Sequence, residues 1–183
     1  MYFESELIVK KNLVTLSSSL AAIMLSGTLL IMPVEANSAT AVANLVVSLI
    51  ITANCTITAT TLPFGSTGTL TAAINGTATV GVTCTNTTPY NVGLDGGNVT
   101  GSTVAGRLLA GTATGNTGTT VPFQLYSDTG RTTVWGNTIG TNTIAGTGSG
   151  VTQPLTVYGQ VPVATATPQP DTYQSTVVAT ITF

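Results

Sequence analysis

The chain has 183 residues, 43% of them hydrophobic and 5% charged, with four basic and six acidic side chains, no histidine and a net charge of −2. So few cations cannot follow a phosphate backbone or form a polybasic membrane patch, which excludes nucleic acid as a partner. Without histidine a Ser-His-Asp triad is impossible, and the scattered carboxylates form no acid–base pair, so the chain reads as a non-enzyme without a cofactor.

The first element is an export signal. Lys10 and Lys11 precede an apolar run from Leu20 to Met32, Pro33 interrupts it, and Val34-Glu35-Ala36 offers small or aliphatic residues at the positions a signal peptidase reads. Residues 1–36 are therefore expected to be removed after Ala36. Removing 36 residues leaves 147, the size of one ordinary domain. Its remaining charges are Arg107 and Arg131 against Asp95, Asp128 and Asp171.

Next comes a tail, residues 37–54, whose uncharged, proline-free stretch from Asn44 runs into Cys55 as NLVVSLIITANC. Side chains of a strand alternate faces. Here Leu45, Val47, Leu49 and Ile51 share one face, while Asn44, Val46, Ser48, Ile50 and Thr52 share a mixed one. Fully burying the four large side chains would contribute on the order of 6–12 kcal/mol, an upper bound because the unfolded chain already hides some of that surface. Two readings of this pattern stand side by side: a first strand pairing within its own domain, or a strand added to a neighbour's sheet. Left exposed, such a segment invites aggregation.

Cys55 opens the domain proper, residues 55–183. The only two cysteines, Cys55 and Cys84, both follow the signal, and an oxidising compartment predicts one disulfide between them. With the cysteines so used and no histidine, a transition-metal site is not expected. Ile57 and Ala59 continue the alternation from Cys55; Val80, Val82 and Cys84 share a face; Tyr90, Val92 and Leu94 share another before the turn signal Asp95-Gly96-Gly97-Asn98. Phe123 and Leu125 lead into a second turn, Ser127 to Gly130. Leu155 and Val157 run into Tyr158–Val163 as a strand, and Tyr173 to Phe183 alternates with Val177, Ala179, Ile181 and Phe183 on one face. The stretches Gly111–Thr120 and Gly146–Gly150 read as flexible surface loops. Asp95 and Asp128 read as turn formers, and the single Trp135 as packing rather than a sugar platform. Short alternating strands, one early disulfide and no helical period predict an all-β, immunoglobulin-like sandwich. The last alternating strand runs to Phe183 with no polar residues after it, so the fold is expected to finish one strand early, with an apolar groove and an open edge.

Several segments in order carry a family resemblance: the alternating run into Cys55, VGVTCTNTTPYNVGLDGG (Val80–Gly97), RLLAG (Arg107–Gly111), VPFQLYSDTGRTTVWG (Val121–Gly136), LTVYGQVPV (Leu155–Val163) and PQPDTYQSTVVATITF (Pro168–Phe183). From Ala41 to Phe183 the chain resembles the spore coat protein U family, which includes pilin subunits of the archaic chaperone–usher pathway. It departs from that pattern at Pro170 and Asp171, where Gly is frequent, and at Ser175, where Asp is frequent. The resemblance implies a sandwich lacking its final strand, loaned one by a periplasmic chaperone and then completed, at an outer-membrane usher, by the N-terminal segment of the next subunit. It assigns Leu45, Val47, Leu49 and Ile51 as donor residues and Val177, Ala179, Ile181 and Phe183 to a strand lining the acceptor groove. It further implies a linear homopolymer on the cell surface, with a tip adhesin where one exists, serving adhesion or biofilm formation. The alternative is a self-complete secreted β-sandwich acting as adhesin or matrix protein.

Overall fold

The computed structural model describes residues 38–183; the export signal read over residues 1–36 lies outside them. The chain divides between Val47 and Ser48 into two units. In the first, residues 38–47 form no strand and are exposed. The second contains nine strands: β1 (Cys55–Ala59), β2 (Ile74–Cys84), β3 (Pro89–Leu94), β4 (Arg107–Gly111), β5 (Thr120–Tyr126), β6 (Ile144–Thr147), β7 (Gln153–Val161), β8 (Tyr173–Gln174) and β9 (Ala179–Thr182).

These strands form two antiparallel sheets. The larger runs β1-β2-β7-β5-β4-β8 and the smaller β6-β3-β9. The alternating residues do what their spacing demands: Val80, Val82 and Cys84 of β2, Tyr90, Val92 and Leu94 of β3, and Phe123 and Leu125 of β5 all enter one buried core. Trp135 joins them with no exposed surface, and its Nε1 donates to the Val92 carbonyl at 2.9 Å. The packing role expected of that indole is thus its actual one. The disulfide also forms: Cys55 and Cys84 face each other across the β1–β2 ladder and are bonded.

Three elements differ from the expectation. The run Tyr173–Phe183 is not one strand. Tyr173–Gln174 pairs with β4 of the larger sheet, whereas Ala179–Thr182 pairs with β3 of the smaller one. One continuous alternation therefore serves two sheets, because Ser175–Val178 carries the chain across from one to the other. Within the loop expected at Gly146–Gly150, Gly146 and Thr147 belong to β6 and pair with Tyr90 and Pro89. Gly146 is there for space, since a Cβ at that position would collide with the Tyr90 ring. The 111–120 loop is tied down: Gly111 and Thr120 belong to β4 and β5, and buried Asn116 donates from Nδ2 to Asp171 Oδ2 at 2.6 Å and to the Tyr173 hydroxyl at 3.1 Å.

Candidate functional site

A groove opens between the two sheets, within the second unit, with a volume of about 1040 Å³. Its floor is the core itself, including Val80, Leu94, Phe123 and Val157. One flank is the strandless segment after β1. There Leu62 and Phe64 lie over Gly76 of β2 and Gly159 of β7; a Cβ at Gly159 would stand 2.8 Å from Leu62 Cδ2 and 3.0 Å from Phe64 Cζ. The two glycines clear a bed for that segment. Phe64 also meets Phe123 edge to face, with ring centroids 6.2 Å apart. The other flank is the stretch from Thr167 to Ala179. The flanks are joined where Ala164 N donates to the Leu70 carbonyl at 2.9 Å and Leu70 N to Thr167 Oγ1 at 3.2 Å.

The backbone along the second flank is half used. Thr176 and Val178 turn both their groups toward the Asp-Gly-Gly-Asn turn. Thr176 N donates to Asn98 Oδ1 at 2.8 Å and its carbonyl accepts from Asn98 N at 3.0 Å. Val178 N donates to Asp95 Oδ1 at 2.9 Å and its carbonyl accepts from Asp95 N at 3.1 Å. Alternation sends the groups of Val177 and Ala179 the opposite way. On that side β9 hydrogen-bonds no strand among the described residues, because it is the terminal strand of its sheet. β1 is likewise terminal in the larger sheet. Apolar floor and unpaired backbone edge therefore coincide, and unpaired edges are templates for strand addition.

Asp95 is thus more than a turn former, since its carboxylate also pins the last strand. Beneath it lies a residue that sequence reasoning did not flag. Arg107 is fully buried; its Nη2 donates to the carbonyls of Leu94 at 2.9 Å and Trp135 at 2.7 Å, its Nε to that of Asp95 at 2.9 Å, and its Nη1 to that of Val104 at 3.4 Å. Burial lowers its pKa to about 10, opposed by the attraction of Asp95, so it remains a cation at neutral pH. An arginine opening a strand reads as exposed; only its place between two chain segments that need donors marks it as internal.

Asp171, at one of the two departures from the family pattern, holds the groove's rim. It accepts from Ala113 N, Asn116 Nδ2, Thr172 N and Thr112 Oγ1, and these bonds, led by that of Ala113, keep its carboxyl below the usual range. At the other, Ser175 Oγ takes the space beside Gly97, where a Cβ would stand 2.6 Å from it. Asp128 caps its own turn and is also lowered, first by the Thr133 N–H. Among the described residues no group of three His, Cys, Asp or Glu gathers as a metal site would require.

Of the residues read as acceptor strand, Val177 and Ala179 line the groove, Ile181 packs against the core beyond it, and Phe183 is 55% exposed. Those read as donor residues lie open: Leu45 and Val47 in the first unit are 88% and 85% exposed, Leu49 and Ile51 in the second 84% and 76%.

The Spore Coat Protein U domain family model matches residues 41–180, more than half of the chain. The chain belongs to that family. The match begins at Ala41, so the exposed tail is part of the family domain and not an appendage to it. Protein U of Myxococcus xanthus is 48% identical over 61 residues, 33% of each chain, so the match spans about a third of that relative. The same fold occurs in a chain of the CsuC–CsuE chaperone–tip adhesion subunit pre-assembly complex from archaic chaperone-usher Csu pili of Acinetobacter baumannii. That chain matches with a TM-score of 0.51 and 21% identity, over 73% of this chain and 40% of the other. The immunoglobulin-like sandwich expected from the strand pattern is therefore the fold of this family member.

Proposed function

We propose that this chain is a structural subunit of an archaic chaperone–usher surface pilus, polymerising by donor-strand exchange. One observation carries the reading: an apolar groove with an unpaired backbone edge occurs in a chain whose most β-prone segment is itself unpaired and exposed. Each lacks what the other supplies. The tail has four large apolar side chains on one face and a backbone needing a partner; the groove offers an apolar floor and the free groups of Val177 and Ala179. The occupant is the tail of a second copy of this chain, with Leu45, Val47, Leu49 and Ile51 facing the floor. Residues 37–54 then act as the donor segment and 55–183 as the acceptor domain.

Family membership and the likeness to a chain of a pilus chaperone–subunit complex support the same reading. A periplasmic chaperone covers the groove during transit after removal of residues 1–36, and an outer-membrane usher is where one strand replaces the other. The product is a linear homopolymer at the cell surface, capped by a tip adhesin where one exists, and it serves adhesion or biofilm formation. No step of this requires catalysis or a cofactor.

The test uses a subunit lacking residues 41–51, produced with its chaperone. It is expected to form no fibres, to remain as a soluble chaperone complex, and to gain thermal stability when a peptide of residues 41–54 is added. Fibres from the deleted subunit, or a peptide that leaves its Tm unchanged, would return the chain to the self-complete sandwich reading.

A further inference from the structure

The geometry at the root of the tail raises a question about the proposed reading, on which this inference rests. β1 is terminal in its sheet, so among the described residues no strand is hydrogen-bonded to its outer edge. A three-residue loop at Thr52–Asn54 would be an ordinary hairpin connection, and it would lay the tail back along that edge. Its register would oppose Ile51 to Cys55, Leu49 to Ile57, Val47 to Ala59 and Leu45 to Thr61. Residues directly opposite share a face, and Cys55 and Ile57 face the core, while Ala59 and Thr61 line the groove. The tail's apolar face would thus point inward in its own domain. Self-filling is the chemically satisfactory and entropically cheaper outcome, because a tethered strand is always at hand. Polymerisation needs a device against it.

Such a device sits at Thr85, beside the Cys55–Cys84 bridge. Thr85 N donates to the Asn54 carbonyl at 2.9 Å, which extends the β1–β2 ladder by one residue past the disulfide. The Thr85 carbonyl is occupied, since it accepts from Thr88 N at 3.1 Å in the β2–β3 turn. Its hydroxyl takes over: Asn54 N donates to Thr85 Oγ1 at 2.9 Å, and that hydroxyl lies 3.1 Å from the Asn54 carbonyl and 3.5 Å from that of Thr52. One side chain thereby touches both ends of Thr52–Asn54, the three residues that would have to reverse.

We propose that Thr85 is a direction clamp, a positioning residue that holds residues 52–54 in line with β1 and so reserves the tail for the groove of a second copy of this chain. A hairpin at 52–54 must break the hydroxyl's bonds to Asn54 and Thr52. Losing one such bond shifts a two-state balance by about tenfold.

The test compares the full exported chain with its Thr85→Ala and Thr85→Ser variants. Thr85→Ala is expected to yield about tenfold fewer fibres and to accumulate a soluble, chaperone-free monomer. That monomer should melt above the tail-deleted subunit, and the 41–54 peptide should not raise its Tm further. Thr85→Ser keeps the hydroxyl and should assemble like the parent. A merely structural role for Thr85 would lower the Tm of every species and produce no peptide-insensitive monomer. A second variant favours the reversal while leaving Thr85 in place: Thr52→Gly, Ala53→Asn and Asn54→Gly together should give the same monomer. Parental fibre yield in both variants overturns the clamp, as does loss of the fold in both with no compact monomer. The deletion of residues 41–51 separates the two ideas. If it abolishes fibres while Thr85→Ala assembles normally, only the clamp fails; if it leaves fibres intact, donor-strand exchange itself fails.

Discussion

Asn44–Ile51 and Tyr173–Phe183 are nearly the same kind of sequence: uncharged, β-branched, alternating. Their situations differ. Within the later stretch, Val178 and the β9 residues meet β3 and the turn that follows it, with Asp95 and Asn98 holding the crossover between sheets. The earlier segment has no strand partner and its apolar residues are open. Local pattern therefore specifies which side chains share a face, whereas the partner is specified by what lies at the other side of the edge. Among the described residues the earlier segment carries the pattern without a partner, and the proposed donor role rests on that contrast.

The sharpest way to break this comparison is one charge at two neighbouring tail positions. Leu49→Asp places a carboxylate on the face proposed to enter the groove, where desolvation without a partner costs several kcal/mol; Ser48→Asp places it on the other face. Leu49→Asp should abolish fibres and Ser48→Asp should permit them, with the thermal unfolding of the chaperone-bound subunit unchanged in both. If Leu49→Asp unfolds the subunit as well, the tail is an ordinary first strand and the contrast between the two segments disappears.

The partnered segment should in turn depend on what holds its partner. Arg107→Met strips the donors from the carbonyls of Leu94, Asp95 and Trp135, while that of Val104 keeps the Gln124 Nε2 donor. At about 1–3 kcal/mol for each buried orphan, the loss should reach at least about 3 kcal/mol by denaturant unfolding. A loss below about 1 kcal/mol would mean that water replaces the guanidinium. The root of the unpartnered segment rests on the disulfide. Its loop of 29 residues predicts roughly 3–4 kcal/mol on Cys84→Ser in the chain-entropy model, and mass spectrometry of the mature chain should show a species two hydrogens lighter than the dithiol. Alkylation of either cysteine without prior reduction would contradict the bridge.

The smallest effect is the pH dependence. Asp171 and Asp128 are held below the ordinary carboxylate value of 3.8 by hydrogen bonds to the charged form. A depressed folded pKa contributes stability that is complete above the unfolded value and is lost as pH falls through the folded one. Stability should therefore decline as acidification passes below about pH 4. Asp171→Asn should flatten part of that decline in a series of Tm against pH, and equal slopes in parent and variant would remove Asp171 from the account.

Much of the sandwich was legible from β2, β3 and β5, because Val80, Val82, Tyr90, Val92, Phe123 and Leu125 alternate strictly and one face of each strand is dry. β6 was not, since Ile144-Ala145-Gly146-Thr147 has glycine where a strand normally packs a side chain, and its reason, the Tyr90 ring, is 56 residues away in sequence. The crossover at Ser175–Val178 was hidden because a period of two is indifferent to which sheet accepts the hydrogen bonds. The groove's other flank was also missed: Leu62, Phe64 and Leu70 keep no period, and they reach the core from a strandless segment.

The burial of Arg107 has a consequence for resistance to proteases. Residues 38–183 contain no lysine, and Arg107 and Arg131 are their only cleavage points for trypsin-like proteases. Arg107 has no exposed surface. Arg131 sits in a tight turn, its Nε donating to the Gly159 carbonyl at 3.2 Å and its guanidinium resting over the Tyr158 ring. Digestion at Arg107 must wait for the domain to open, so its rate follows the population of open molecules. The basic residue that organises the interior is thereby withheld from the enzymes that would cut there until the domain opens.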